Sequence, residues 1–157
     1  MEHVEGRDPR AEQGSQRVAR AAAAPPGVRV RRMAQADVDT VVGIESDAFS
    51  SPWSADTFAS LLERPNVELL VLEHEQEGVI GYAVLWCILD QGELANVAVT
   101  HRMRGRGLGR HLLACVLDVA RERGIETIFL EVRASNQRAH ELYRTFGFSD
   151  VGRRKAY

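Results

Sequence analysis

The spacing of apolar and polar residues divides the chain from residue 28 onward into strands and helices. The stretch VRVRRMA alternates apolar and basic residues from Val28, which predicts a half-buried strand. Apolar side chains then recur at helical spacing in DVDTVVGIESDAF, and this helix stops before Pro52. Ser54 can cap a second, shorter helix, SADTFASLLERP, which Pro65 ends. Residues 28–65 therefore predict one strand followed by two helices.

The rest of the chain predicts a run of strands and then an alternation of helix and strand. Three strands follow one another, VELLVLEHE, GVIGYAVLWCILD and GELANVAVT, and the polar turn EQEG joins the first two as a hairpin. Two amphipathic helices, GRHLLACVLDVARERG and SNQRAHELYRTFGF, then alternate with the strands IETIFLEVRA and FSDVGRRKAY. This order predicts an α/β (α+β) domain with a mixed central β-sheet flanked by helices.

Composition adds limits to this architecture. The chain has 157 residues and a formal net charge of −2, which suits one soluble domain without an overall attraction to nucleic acid or anionic lipid. No apolar run approaches the roughly 20 residues of a membrane span, so we expect a cytoplasmic protein without a membrane partner. Cys87 and Cys115 lie in apolar runs and predict buried free thiols. Histidine spacing predicts no metal site, and His101, His111 and His140 are expected at the surface.

The first 27 residues differ from the rest of the chain. They carry almost no large apolar side chains and end in Pro25, Pro26 and Gly27, which predicts a flexible N-terminal extension. A targeting peptide is the competing interpretation, but the segment has no apolar core and its acidic residues offset its arginines. We therefore assign residues 1–27 to the extension and residues 28–157 to the folded domain.

The stretch RMRGRGLGRHLL, residues 102–113, places three glycines among arginines directly before an apolar helix. Free backbone N–H groups at a helix start bind anions, and glycine lets the backbone close around a phosphate. The spacing fits neither the P-loop pattern nor the dinucleotide pattern GxGxxG. A pyrophosphate site is the sharpest interpretation, while a basic nucleic-acid patch and a solvent-facing turn stay open as alternatives.

The neighbours of this loop add a resemblance to a known family. The stretch VAVTHRMRGRGLGRHLL resembles motif A of the GNAT acetyltransferases, whose loop pattern Gln/Arg-x-x-Gly-x-Gly/Ala is met by Arg104, Gly107 and Gly109. The segments SPWS, GELANVAV, LEVRASNQRAHELYRTFGF and RRKAY extend the match over residues 28–157. They are similar to the ribosomal-protein alanine N-acetyltransferase (RimI) branch. The resemblance implies the GNAT fold and acetyl-CoA as cosubstrate.

In the GNAT family this loop holds the pyrophosphate of acetyl-CoA, and the preceding strand pairs with the pantetheine arm. Carried onto this chain, the resemblance makes the following residues candidate cofactor contacts: Val97, Ala98, Val99, Arg104, Gly105, Arg106, Gly107, Leu108, Gly109, Arg110 and Asn136. Asn136 also stands where a helix N-cap is expected, and both roles can hold together. The backbone N–H of Val97 is the candidate donor to the thioester oxygen, if the strand bulges there.

Acetyl transfer needs a base, because an α-amino group with a pKa near ~8 is mostly protonated at neutral pH. Glu131 ends the apolar run TIFLE, and an ion pair with Arg133 is its competing structural role. Glu93, in GELANVAV, is the rival base; the resemblance favours Glu131, and cooperation of the two carboxylates stays open as an alternative. The resemblance also assigns Tyr143 as general acid toward the CoA sulfur, although its helical spacing alone predicts a core aromatic.

One departure from the branch lies at the C-terminal end. The branch continues past RRKAY with another strand that helps to form the acceptor groove, so we expect the last strand of the sheet to be missing or replaced by a neighbouring chain. The matching segment around Trp53 borders the peptide cleft in the branch, whereas a tryptophan in such a loop also suits a hydrophobic plug under the first two helices.

Together these observations predict a monomeric or weakly dimeric enzyme that acetylates a protein N-terminus. The first candidate acceptor is the N-terminal alanine of a small-subunit ribosomal protein, with no direct nucleic-acid contact. The alternatives are acetylation of a small amine or a lysine side chain, a non-catalytic acetyl-CoA-binding module, and an RNA-associated ribosomal factor that uses the arginine loop.

Overall fold

The computed structural model describes residues 2–5, 25–132 and 135–153. Within these ranges seven strands form one sheet: β1 (Glu2–Glu5), β2 (Val28–Arg32), β3 (Val67–His74), β4 (Gly78–Ile88), β5 (Gln91–Val99), β6 (Thr127–Val132) and β7 (Ser149–Arg153). The helices are α1 (Val38–Ala48), α2 (Ala55–Leu62), α3 (Leu108–Glu122) and α4 (Gln137–Thr145). The prediction of a mixed sheet flanked by helices is confirmed.

The sheet has the strand order β2-β3-β4-β5-β6-β1-β7. Strands β2 to β5 are antiparallel neighbours, β5 and β6 are parallel, and β1 runs antiparallel to both β6 and β7. The parallel pairing extends only from Gln91 opposite Thr127 to Leu94 opposite Leu130. Beyond Leu94, β5 and β6 have no pairing in the described part of the chain, so the sheet forks at this point.

Helices cover both faces of the sheet and bury two apolar clusters. On one face α3 contributes Leu112 and Leu117, which pack with Ile128 of β6. On the other face α1 and α2 cover β3 and β4, and Phe58 meets Tyr82 edge to face at a centroid distance of 5.8 Å. Full burial of one such side chain contributes about 1.5–3 kcal/mol. The fork between β5 and β6 is therefore held by a packed core on each side.

An ion-pair network fixes the start of α1 to the edge of the sheet. Asp37 is 8% exposed, and its two carboxylate oxygens accept hydrogen bonds from the Arg31 guanidinium at 2.8 and 2.9 Å. The same carboxylate accepts from the backbone N–H of Ala34 at 2.8 Å, and Arg31 also binds Glu73 of β3 at 2.9 Å. The Arg31 hydrogen bonds hold the pKa of Asp37 below its usual value.

The N-terminal residues correct one expectation. A flexible extension was predicted over residues 1–27, but residues 2–5 form β1 between β6 and β7; residues 6–24 lie outside the described residues. An unpaired strand edge leaves backbone N–H and C=O groups without partners, and a short added strand satisfies them. The position beside β6, expected to be vacant or filled by a neighbouring chain, is thus taken by the same chain. The domain division at residue 27 stays a prediction.

Two histidines correct a second expectation. His111 and His140 were predicted at the surface, but each is 7% exposed. His111 lies on the inward face of α3, where its Nε2 is 3.9 Å from the Sγ of Cys115 one turn later. His140 precedes Tyr143 by three residues, so both lie on the buried side of α4. Cys87 and Cys115 are buried free cysteines, as predicted.

Candidate active site

The glycine loop adopts the conformation that its sequence predicts. Gly105 has φ +81° and Gly107 has φ +76°, both in the left-handed region that favours glycine. Gly107 is the N-cap residue of α3 and provides no side chain to cap it. The first-turn N–H groups of α3 are thus left for an external acceptor, and the positive end of the helix dipole favours an anion there.

A cavity of about 390 Å³ lies between this loop, the end of β5 and α4. Every residue predicted as a cofactor contact lines it except Arg106, which is exposed, and the contacts themselves stay predictions. Three guanidinium groups, those of Arg104, Arg110 and Arg138, line the cavity. The Nε of Arg104 donates to the backbone oxygen of Val99 at 3.3 Å, which attaches this arginine to the end of β5. We call this cavity the basic half of the cleft.

A second cavity, of about 620 Å³, continues from the first through the fork of the sheet. The two share the lining residues Val97, Asn136, Ala139 and Tyr143, so they form one cleft. The second cavity is also bounded by the segment between α1 and α2, residues 49–54. We call it the acidic half, because three glutamates border it: the exposed Glu93, the half-buried Glu131 and the enclosed Glu45.

Charge divides the cleft along its length. Among the described residues that line the acidic half there is no lysine, arginine or histidine, and among those that line the basic half there is no carboxylate. An anionic molecule is therefore attracted to one end and a cationic molecule to the other. The two ends meet where Val97 and Tyr143 lie.

The predicted catalytic residues line the acidic half, and Tyr143 also lines the basic half. Glu131 is half-buried and directly follows Leu130, the last β6 residue paired with β5. Glu93 is exposed and lies on β5 opposite Phe129. Tyr143 is 8% exposed, lines both halves, and burial raises its pKa to about 12. Arg133, the competing ion-pair partner of Glu131, lies outside the described residues.

Residues 38–148 match the sequence profile of the acetyltransferase (GNAT) family. The chain belongs to the GNAT family. It is 37% identical over 129 residues to a relative from Bacillus subtilis (strain 168), covering 82% of this chain and 85% of that protein. It is 37% identical over 122 residues to the ribosomal protein bS18-alanine N-acetyltransferase of Escherichia coli (strain K12), covering 77% of this chain and 80% of that enzyme.

Solved structures agree with this assignment. The crystal structure of the ribosomal-protein-S18-alanine N-acetyltransferase from Escherichia coli superposes with a TM-score of 0.69 at 33% identity over 76% of both chains. The PaiA N-acetyltransferase from Thermoplasma acidophilum, solved in complex with coenzyme A, shares the fold with a TM-score of 0.70 at 17% identity, covering 78% of this chain and 89% of that one. The predicted resemblance and fold are confirmed, and the protein is an acetyl-CoA-dependent N-acetyltransferase.

The residues of the basic half fit the cosubstrate that GNAT enzymes use. The loop joins left-handed glycines, an uncapped helix start and three guanidinium groups, which together match a pyrophosphate. Within the described ranges no group of three or more His, Cys, Asp or Glu side chains is arranged to hold a metal ion. No helix among the described residues has the length and apolar character to cross a bilayer.

Of two backbone features predicted near the fork, one is found as predicted and the other lies two residues away. Asn136 is the N-cap of α4, and its Oδ1 accepts from the backbone N–H of Ala139 at 3.1 Å, as its position in the sequence predicts. A bulge was expected at Val97, but the register shifts two residues earlier: Asn96 faces Val84 and Leu94 faces Leu85. Ala95 is therefore the extra residue. A bulge at this point bends β5 away just where its pairing with β6 ends.

The segment between α1 and α2 contains one predicted residue and one that the sequence reasoning missed. Trp53 packs on Phe58 at a centroid distance of 5.6 Å, as expected of a hydrophobic plug, and it also lines the acidic half, while its role at the acceptor cleft stays a prediction. Glu45 is 1% exposed and was not predicted. It follows Val38 by seven residues and Val41 by four, which places a carboxylate on the apolar stripe of α1. A carboxylate on an apolar helix face is the sequence signal that could have identified Glu45 as a candidate residue.

Proposed function

We propose that this GNAT enzyme acetylates the N-terminal α-amino group of a protein, with the N-terminal alanine of ribosomal protein bS18 as the first candidate acceptor. Relatives of 33–37% identity carry the name of this activity. The observation that carries the proposal is the charge division of the cleft. An acetyl-CoA with several phosphates suits the basic half, and a protonated α-amine suits the acidic half.

Acetyl-CoA is held by backbone and arginines in this proposal. The first-turn N–H groups of α3, together with Arg104 and Arg110, bind the pyrophosphate, and Asn136 contacts the cosubstrate nearby. The pantetheine arm pairs with β5 along Val97–Val99 as an added strand, on the side where β6 has diverged. The backbone N–H of Val97 donates to the thioester oxygen as negative charge develops there.

Transfer is direct between the two bound substrates. Glu131 removes a proton from the ammonium group, and the neutral nitrogen then forms a bond to the carbonyl carbon while the C–S bond breaks. Glu131 releases this first proton to solvent and then takes the second amine proton as the C–N bond forms, and the sulfur departs as a thiolate. A phenol with a pKa of about 12 is a weaker acid than a thiol with a pKa near ~8.5. Tyr143 therefore stabilises the thiolate through a hydrogen bond rather than by complete proton transfer.

Mass spectrometry of a peptide library tests this function. Peptides that begin with alanine are compared with the same peptides carrying a blocked α-amine and an internal lysine. We expect acetyl only on the free α-amine, because a carboxylate base deprotonates an ammonium with a pKa near ~8 much more readily than a lysine ammonium with a pKa near ~10.4. Acetylation of the internal lysine in the blocked peptides, with the free α-amine left unmodified, would favour the lysine alternative.

A matched pair of variants tests the base. Glu131→Gln and Glu93→Gln each remove one carboxylate from the acidic half without changing its volume. We expect Glu131→Gln to lower kcat by about 10²-fold or more, with Glu93→Gln close to wild type and the Kd of acetyl-CoA unchanged in both. The reverse order of effects would assign the base to Glu93.

A further inference from the structure

One buried carboxylate near the cleft has a set of partners that the transfer reaction does not use. The Glu45 side chain, in the last turns of α1, has its Oε1 bound by the Tyr82 hydroxyl and by Asn96 Nδ2, the latter at 2.8 Å. Its Oε2 accepts the backbone N–H of Trp53 at 2.9 Å. These three partners are neutral donors. This arrangement suits an acceptor that is completely enclosed by the protein.

The partners belong to three separate parts of the fold. Tyr82 is fully buried in β4, and its burial together with the Glu45 hydrogen bond raises its pKa, so it remains a donor. Asn96 lies on β5 directly after the bulged Ala95. Trp53 belongs to residues 49–54, which form one wall of the acidic half. The two oxygens therefore connect this wall to the strand that borders the other half of the cleft.

The position of Glu45 separates it from the proton-transfer residues. Glu45 is 1% exposed, whereas Glu131 is half-buried at the fork, so Glu45 has almost no surface for a substrate to touch. Of the three hydrogen bonds described for the Glu45 side chain, one goes to residues 49–54: the bond from the Trp53 N–H to Oε2. Loss of that bond leaves the Phe49 N–H bond to the backbone oxygen of Glu45 and the Trp53–Phe58 contact in place, but it removes the link that runs from Trp53 through the carboxylate to β5.

We propose that Glu45 is a positioning residue that fixes residues 49–54 against β5 and thereby sets the shape of the acceptor half of the cleft. This inference rests on the proposed function, in which the acidic half takes the acceptor amine. Glu45 does not exchange protons with the substrate. It acts on acceptor affinity through Trp53 and leaves acetyl-CoA binding, which uses the other half, unaffected.

The variant Glu45→Gln tests the inference with Tyr82→Phe as a matched control. Glutamine keeps the volume but has only one acceptor oxygen, which stays where Tyr82 and Asn96 both donate, so its NH₂ group faces the Trp53 N–H donor to donor. Tyr82→Phe also removes one hydrogen bond from Glu45, on the Oε1 side, where Asn96 still donates. We expect KM for an alanine-starting peptide to rise about tenfold in Glu45→Gln, the value of one charge-assisted hydrogen bond, and to stay within about twofold in Tyr82→Phe. The Kd of acetyl-CoA should match wild type in both.

A second measurement does not depend on activity. Hydrogen exchange of the Trp53 backbone amide, followed by NMR, should accelerate in Glu45→Gln and not in Tyr82→Phe. The inference is overturned if exchange accelerates while the peptide KM is unchanged, or if both variants raise that KM equally. Should Glu45→Gln fail to fold, Glu45→Asp keeps the charge but is one methylene too short to reach Trp53, and the same increase is expected. If the wild-type enzyme does not acetylate the peptide at all, the proposed function is refuted. The exchange measurement then still tests the positioning role of Glu45, which is refuted if exchange of the Trp53 amide is the same in Glu45→Gln as in wild type.

Discussion

Replacement of Gly107 by alanine gives a quantitative test of the phosphate loop. Gly107 has φ +76° and ψ 10°, and a Cβ built there meets no other atom within 4 Å. The substitution therefore introduces backbone strain of about 1–2 kcal/mol without a steric clash. Strain in the bound conformation must appear in one of two places: in a lower stability of the free protein, or in weaker acetyl-CoA binding if the free loop relaxes.

The two losses are measured separately and added. Thermal or urea unfolding of the free protein gives the first, and calorimetric titration with acetyl-CoA gives the second. Their sum should reach about 1–2 kcal/mol, so a loop that relaxes completely weakens Kd by roughly five- to thirtyfold. If the free loop does not relax, the Tm falls by roughly 2–4 °C per kcal/mol.

Gly43→Ala is the control, because it makes the same chemical change on the exposed side of α1. A Cβ at Gly43 also meets nothing within 4 Å, but the backbone there is helical. We expect this variant to be more stable by about 0.5–1 kcal/mol, with an unchanged Kd for acetyl-CoA. A summed loss below about 0.5 kcal/mol for Gly107→Ala would refute the strain expected from a left-handed backbone.

Three further predictions concern the ion pair, the tyrosine and the thiols. Asp37→Asn should lower the free energy of unfolding by about 2 kcal/mol at neutral pH. Because the folded-state pKa of Asp37 is lowered by Arg31, its contribution is complete above the unfolded pKa of ~3.9 and is lost as pH falls through the folded value. Unfolding curves of the two proteins should therefore converge in strong acid, and a gap that persists there would assign the loss to packing. Tyr143→Phe should lower kcat by about 10²-fold equally at every pH up to about 10, since a pKa of about 12 keeps the hydroxyl protonated; a loss confined to one end of the pH profile would argue against hydrogen-bond donation. Cys87 and Cys115 should react with a thiol reagent only at the rate of unfolding, because both are buried, and rapid reaction of the native protein would contradict that burial.

Features with a strong local signal could be predicted from the sequence alone. Ser54 caps α2 by accepting from the backbone N–H of Thr57 at 3.2 Å, and Pro65 follows the end of that helix. Gly105 and Gly107 adopt positive φ where a tight turn into α3 requires it, while Gly109 lies within the helix. Each of these depends on residues within a few positions of one another, so periodicity and residue type were sufficient.

Features that depend on distant residues could not be predicted in this way. The exposure of His111 depends on how α3 packs on the sheet, and its polarity alone suggested the wrong side of the helix. The strand at residues 2–5 has no strong strand pattern of its own and forms because β6 and β7 offer backbone partners. The network of Glu45 joins residues 37 and 51 positions apart, which no local spacing reveals.

The division of charge in the cleft also determines what happens after transfer. The acetylated nitrogen is an amide without charge, so the carboxylates of the acidic half no longer attract the group they drew in. Coenzyme A leaves the reaction with every phosphate intact and keeps its attraction to the arginines and helix N–H groups at the other end. Under the proposed function, we therefore expect an order of departure in which the acetylated protein leaves first and coenzyme A last.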